Sequence, residues 1–447
     1  MSNALYKKYL IVLLLLILAF NTVDRLALGL VLQDIKADLH LSDLQLGLLT
    51  GLAFALFYSI MGVPIAWWAD RGNRARIIAL TTAIWSVLVA MSGFARSFPQ
   101  LIVIRVAVGV GEAGCMPTSN SLLAAEFDRD ERPRAVSRYL IGGPLSLLFG
   151  YLIAGWLNQY YGWRTTFVVL SIPGAILAIL AWCTLREPRR RANGSPRVTG
   201  GPQGQADPSA GSHASKHIWA DFATLYRNKT YLNITIAYGV MSFFGFGVSQ
   251  WLPSLLVRSY GLRTGEIGTS LGLIYSASGV IGMFLGGEFA SRGILARNER
   301  LQLRAAALIH GGAVFLWAGA FISQNQYITL GLIGVVSLAG PLSTGPIFSL
   351  LQTLVPERLR AVSIAVMFLF SNLLGLGLGP LAVGALSDAL GTRFGPDSLR
   401  YALLLCLPLT FWAAWHFWLA SKTVGRDLES VAPDECQQRR WELRVEC

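Results

Sequence analysis

Along this chain long apolar runs alternate with short polar clusters. Twelve of the runs reach the roughly 20 helical residues that cross a hydrocarbon core. The pattern predicts spanning helices over 9–32, 45–68, 77–95, 99–124, 136–157, 165–185, 230–254, 266–290, 303–323, 327–352, 361–386 and 399–420. One polar stretch between runs is much longer than the others. It opens on Arg186-Glu-Pro-Arg-Arg-Arg191 and continues in Gly, Ser, Pro and Gln, the composition of a flexible linker. The expected organisation is an N-terminal six-helix bundle (1–185), a cytoplasmic central linker (186–229), a C-terminal six-helix bundle (230–420) and a cytoplasmic tail (421–447).

Composition sharpens the class. The 447 residues are 53% hydrophobic and 14% charged, against about a quarter charged in a soluble protein. With a mean hydropathy of +0.51, that excludes a disordered chain and argues against an ordinary soluble enzyme. The net charge of +12 would suit nucleic acid, but its distribution points elsewhere. Of 37 Lys and Arg, 28 lie in or within a turn of the termini, the linker and the even-numbered loops. Only 7 belong to the odd-numbered loops, and Arg25 and Arg105 lie within spans. The positive-inside rule then puts both termini in the cytoplasm. Short loops and this bias predict a multi-pass protein of a bacterial inner membrane. The first apolar run follows Lys7 and Lys8 but extends to Leu32, too long for a signal-peptide core, and reads as a retained helix. Cys115, Cys183 and Cys406 sit in spans and Cys436 and Cys447 in the tail, without metal-ligand spacing.

The halves repeat each other. Glu131-Arg-Pro-Arg-Ala-Val-Ser137 recurs as Glu357-Arg-Leu-Arg-Ala-Val-Ser363, after the fourth span of each half. Ala69-Asp-Arg-Gly72 likewise matches Ala290-Ser-Arg-Gly293 after the second span of each half. All four copies fall on the basic side, so the repeats run parallel, related by an axis along the membrane normal.

These residues carry a family resemblance. Ala66-Trp-Trp-Ala-Asp-Arg-Gly-Asn-Arg74 resembles the signature loop of the major facilitator superfamily, and Arg105-Val-Ala-Val-Gly-Val-Gly-Glu-Ala113 its fourth-helix motif. Asn21-x-x-Asp24-Arg25, the Asp-Arg-Gly-Asn-Arg form and Gly-Glu-Ala resemble the spinster-like branch. Ala66 and Asn73 stand where the broader superfamily has glycines; Asn73 fits the branch. The resemblance implies an all-α membrane protein of twelve helices in two parallel six-helix repeats. It also implies a latch at the signature loop, Asp70, Arg71 and Arg74, with Arg134 and Arg360 of the duplicated loops as partners.

Ionisable side chains inside a span are costly and need an account. The N-terminal half has four: Asp24, Arg25, Arg105 and Glu112. Helical rise places Asp24 and Arg105 at similar depth. Glu112 follows Arg105 by seven residues, on nearly the same face and about 10 Å deeper. An inert ion pair between Arg105 and Asp24 is the competing reading for Arg105. The resemblance implies proton coupling at Asp24 and Glu112, and headgroup binding at the neighbouring Arg25; Arg105 joins the candidate substrate contacts. The planar fork of Arg suits phosphate or carboxylate.

The C-terminal half is apolar where the N-terminal half is charged. Phe243, Gln250 and Trp251 on the seventh helix and Asn372 on the eleventh are its candidate substrate contacts, while His310 and His416 read as packed histidines. Gly142-Gly-Pro144 marks a hinge or close contact in the fifth helix. Charge on one side and aromatic lining on the other predict a cargo with an anionic head and a greasy tail, such as a lysophospholipid or related lipid. The alternative is a multidrug or small-metabolite exporter. No nucleotide loop, metal-ligand set or nucleophile–base arrangement supports an enzyme. No cofactor is expected beyond the coupling proton. The expected partners are the substrate, protons and membrane lipids, without nucleic acid, around a monomer.

Overall fold

The computed structural model describes residues 3–128, 130–188, 225–295, 298–356 and 359–445, with the side chains of 3–4, 70, 293–295, 361 and 430–445 outside that set. Most of the linker, 189–224, and Glu357 and Arg358 of the second repeat copy therefore lie outside the described residues.

Among the described residues ten helices are long and apolar enough to cross a membrane, and two of them are double. Arg132–Thr184 has 53 residues and Val362–Glu429 has 68. At 1.5 Å per residue these would be about 80 and 100 Å long, against a core of about 30 Å. Each folds back at a glycine that adopts a positive φ: Gly162 at 78° and Gly395 at 54°. The described residues therefore make twelve passes. They are α1 (Asn3–Leu39), α2 (Asp43–Ala69), α3 (Arg74–Ser92), α4 (Phe98–Glu126), α5 (132–161) and α6 (163–184). The second half has α7 (Lys229–Tyr260), α8 (Thr264–Leu295), α9 (Glu299–Ile322), α10 (Gln326–Thr353), α11 (362–394) and α12 (398–429).

Local chemistry sets the helix starts. Ser42 and Gln45 form a reciprocal capping box at α2. Asn73, Asn228, Asn298 and Asn325 cap α3, α7, α9 and α10 by accepting from backbone N–H groups of the first turn. Asn73 thus has a structural task in the signature loop. In α11 the Gly-rich stretch Ser371–Leu378 widens into a π-helical turn just before Pro380, whose missing N–H cannot continue the ladder. Helix α1 runs seven residues beyond the expected end at 32, to Leu39, so Asp24 sits deeper than expected.

The core shows how the halves meet. One buried cluster, containing Tyr6, Leu10, Leu122 and Tyr139, belongs wholly to the first half. A second, with Tyr231, Ile234, Leu303 and Phe417, belongs wholly to the second. Both lie towards the end bearing the termini and the linker, hereafter the linker end. The third cluster joins the halves, with Leu46, Trp163, Trp251, Leu255 and Leu399 packed together towards the far end. The molecule is closed at the far end, while the linker-end cores stay separate.

Glycines make that closure tight. A Cβ at Gly47 would lie 2.9 Å from Leu381 Cα, and one at Gly155 would lie 3.1 Å from Gly268 Cα. The pairs α2–α11 and α5–α8 therefore touch backbone to backbone. Polar contacts finish the seal. Asp43 accepts two guanidinium N–H bonds from Arg258 (2.6 and 2.7 Å), one from Lys36 (2.6 Å) and one from the Ser387 hydroxyl (2.6 Å). Arg258 also donates to Gln33 at 2.8 Å.

Candidate functional site

Asp24 and Arg25 are neighbours on α1 but turn to different partners on α4. Arg105 donates from Nη1 to Asp24 Oδ2 at 2.5 Å, and both side chains are buried. Arg25 donates from Nε (2.9 Å) and from Nη2 to Glu112 Oε2. Glu112 is fully buried, whereas the Arg25 side chain keeps 18% of its surface. Glu112 sits fourteen residues from either end of α4, at the middle of the bundle.

Phe54 of α2 organises both pairs. Its ring lies 4.4 Å from the Arg25 guanidinium and 5.2 Å from that of Arg105, and Tyr58 covers Arg25 at 4.8 Å. The bare Cα of Gly109 lets α4 approach this close, since a Cβ there would lie 2.8 Å from the Phe54 carbonyl. Asp24 Oδ1, Arg105 Nε and Glu112 Oε1 are buried without a hydrogen-bond partner. Such atoms are expensive to hide and are free to bind water, a proton or a substrate group.

A cavity of about 580 Å³ lies between the halves; Thr22 and Leu26, which flank Arg25 in α1, line it, and the four charged residues do not. Thr22 and Leu26 of α1 and Pro144 and Tyr151 of α5 line one wall. Phe244 and Phe246 of α7, Tyr275 of α8 and His310 and Trp317 of α9 line the other. The lining is overwhelmingly apolar and aromatic. His310 is buried with its ring stacked on Phe417 at 5.7 Å. His416 pairs through Nδ1 with Asn233 Oδ1 at 2.7 Å. Gly143 and Pro144 form cavity wall, with open space where a Gly143 side chain would be, while Gly142 is a close contact: a Cβ there would lie 2.7 Å from the Leu15 carbonyl oxygen of α1.

The remaining candidates fall in several places. Trp251 is fully buried and donates its indole N–H to the Pro380 carbonyl at 2.8 Å, which puts it in the far-end seal. Gln250 packs against bare Gly29, also between the halves. Phe243 backs onto Gly379 through its carbonyl, and it is Phe244 and Phe246 that face the cavity. Asn372 is half-buried on the π-helical turn. The Asp70 side chain lies outside the described residues. Arg71 stacks on Trp67 at 4.1 Å. The Arg74 backbone N–H donates to Glu187 (2.6 Å) and its Nη1 to the Ser121 carbonyl (3.3 Å). Arg134 is exposed. Arg360 donates to the Gln352 carbonyl (3.0 Å), as Arg132 does to that of Ala124 (2.7 Å), each reaching back eight residues. The two arginines occupy different positions of the repeat, since Arg360 aligns with Arg134 and Arg132 with Arg358, and these contacts stay within one half.

Comparison with known proteins places this arrangement. The family model described as Major Facilitator Superfamily matches residues 14–380. The chain belongs to the major facilitator superfamily. Within this superfamily it is a spinster-like transporter and not an enzyme. It is 27% identical over 429 residues to protein spinster homolog 1 of Mus musculus, covering 89% of this chain and 77% of that protein. It is 30% identical over 418 residues to an MFS-type efflux pump of Mycolicibacterium smegmatis, covering 93% and 92%. A crystal structure of a bacterial homologue of the human lysosomal transporter spinster, inward-facing and unoccupied, superposes with a TM-score of 0.79 at 28% identity. That match covers 94% of this chain and 98% of the other.

Sequence reasoning missed Asp43, Arg258 and Asp388 as a group. Their signal was partial: Asp43 opens α2 and Arg258 lies two residues from the end of α7, but Asp388 lies within α11 and no motif joins the three.

Proposed function

We propose that this superfamily member is a proton-coupled secondary active transporter of an amphiphilic organic anion, such as a lysophospholipid, working by alternating access. The observation that carries the reading is Glu112, a fully buried carboxylate at mid-bundle with Arg25 on one oxygen and no partner on the other. Such a group can exchange its proton for the cation beside it as the surroundings change, which is what coupling requires. Arg25, partly exposed and paired by one carboxylate, is the cation that an anionic headgroup would take over. The aromatic cavity, lined on α1 by Thr22 and Leu26 to either side of Arg25 in sequence, suits an acyl chain. The positive-inside distribution supports a cytoplasmic linker end in a bacterial inner membrane, and hence an inward-facing molecule.

A second reading, export of apolar drugs or small metabolites, draws on the apolar cavity lining and on the similarity to an efflux pump. The test is uptake of a labelled lysophospholipid into proteoliposomes with and without an imposed pH gradient, alongside Glu112→Gln. Uptake that needs both the gradient and Glu112 is expected. Gradient-dependent movement of neutral drugs but no lysolipid would favour the second reading, and gradient-independent lysolipid uptake would remove the proton.

A further inference from the structure

At the linker end of the second half, α9 and α12 carry two basic pairs at helical spacing. Arg300 and Arg304 lie on α9, and Lys422 and Arg426 on α12. Residues four apart share a helix face, so each pair forms one edge of the groove between the helices. Arg300 ties the edges together by donating to the Ser421 carbonyl at 3.1 Å. A hollow of about 230 Å³ opens there, lined by Arg300, Lys422 and Arg426 together with Glu299. One turn deeper, Arg304 lies 5.4 Å from the Trp418 ring, and its buried Nε has no hydrogen-bond partner.

Below the hollow the surface turns apolar. Leu308, Phe315, Phe411 and Trp415 are exposed on α9 and α12, and the Phe315 and Phe411 rings meet at 5.9 Å. A cationic hollow above a lipid-facing apolar furrow matches a molecule with a phosphate head and acyl chains. It does not match free phosphate, which would leave the furrow unused. The first half repeats the key element: Arg76 of α3 lies 5.9 Å from the ring of Trp182 on α6, the helices equivalent to α9 and α12. The Arg–Trp pair is thus built twice at the same end.

We infer that the α9–α12 groove is a binding site for the headgroup of an anionic membrane phospholipid, separate from the transport cavity. Basic pockets between membrane helices recognise such headgroups, and each Lys or Arg near the surface adds to the attraction. The site is independent of the proposed cargo and of the coupling mechanism.

The test uses the full chain in a neutral detergent, with phosphatidylglycerol, phosphatidylcholine or inorganic phosphate added. Bound lipid is counted by native mass spectrometry and thermal unfolding is followed. Phosphatidylglycerol should bind and raise Tm more than phosphatidylcholine, and phosphate alone should do neither. Arg300→Gln/Lys422→Gln should weaken phosphatidylglycerol binding roughly tenfold or more, from the loss of two surface cations. Arg304→Lys, which keeps the charge but loses the planar fork, should fall between. A charge-matched control, Lys8→Gln/Arg138→Gln on the first half, should retain the selectivity. Equal binding of the two lipids by the unaltered protein would overturn the site. So would an equal loss in the control, or a response to phosphate that matches the lipid.

Discussion

Asp388 of α11 accepts the backbone N–H of Asp43 at 3.0 Å and that of Leu44 at 2.7 Å, so one half of the molecule caps a helix of the other. The first free N–H groups of α2 are then all satisfied, since Ser42 accepts the third, from Gln45, at 3.2 Å. Removing the Asp388 carboxylate should open the far end, because two N–H groups and the positive end of the α2 dipole lose their partner. Cap losses are typically about 1 kcal/mol, enough for a several-fold shift between two states. In Asp388→Ala, a cysteine introduced by Ser398→Cys should react several-fold faster with a membrane-impermeant maleimide applied from the far side. An unchanged rate would make the cap incidental to gating.

Asp43 and Arg258 should act as a unit. Asp43 is buried and draws on Arg258, Lys36 and Ser387, so either single change strands a charge at the seal. Asp43→Asn and Arg258→Gln should each accelerate the same labelling, and the double variant should fall well short of the product of the two. Full additivity would mean that the two residues do not share an interaction that matters for closure.

The glycine contacts of α5 and α8 make a steric counterpart. A Cβ at Gly268 collides with the Tyr151 carbonyl and comes within 3.1 Å of Gly155 Cα. Gly268→Val should therefore wedge α5 from α8 and depopulate the far-end-closed state while leaving each half folded. Spin labels on Gln159 and Arg263 should report a longer far-end distance than in the unsubstituted protein. An identical distance distribution would show that the helices can absorb the side chain.

How legible this molecule was in its sequence depended on the kind of interaction. Apolar period and charge asymmetry located the passes because they act through the bilayer, a solvent with known dimensions. The pairing of Arg105 with Asp24 followed from helical rise and the cost of an isolated buried charge. The choice of Arg25 as the partner of Glu112 did not, because it depends on Phe54 and Tyr58 standing between the two pairs. Trp251 looked like cavity lining from its aromatic neighbours, yet the Pro380 carbonyl and the packing of α7 on α11 hold it in the seal. The far-end network was not legible as a group for the same reason: Asp43, Arg258 and Asp388 lie on the separate helices α2, α7 and α11 and meet only when the halves dock.

Arg25→Ala should discriminate between cargoes. With its guanidinium gone, an anionic amphiphile loses a charge-assisted contact that a neutral analogue of equal chain length never made. Binding of the anion should weaken at least tenfold, at about 1.4 kcal/mol per decade, with little change for the neutral compound. Equal losses for both, measured by competition in detergent, would assign Arg25 to structure.

The two ion pairs should differ in what their loss does to stability. Arg105 is buried and has Asp24 as its charged partner, so Asp24→Asn leaves a cation stranded inside the bundle. Breaking a buried pair from one side costs about 3–5 kcal/mol. In Glu112→Gln, by contrast, Arg25 keeps the faces of Phe54 and Tyr58 and its partial exposure, and Gln can still accept a hydrogen bond. Thermal unfolding in detergent should therefore drop far more for Asp24→Asn than for Glu112→Gln, and Arg105→Gln added to the first should restore part of the loss. That ordering would make Asp24–Arg105 the fixed strut between α1 and α4, and leave Arg25–Glu112 as the pair able to part. The reverse ordering would exchange their roles and move the search for the proton to Asp24.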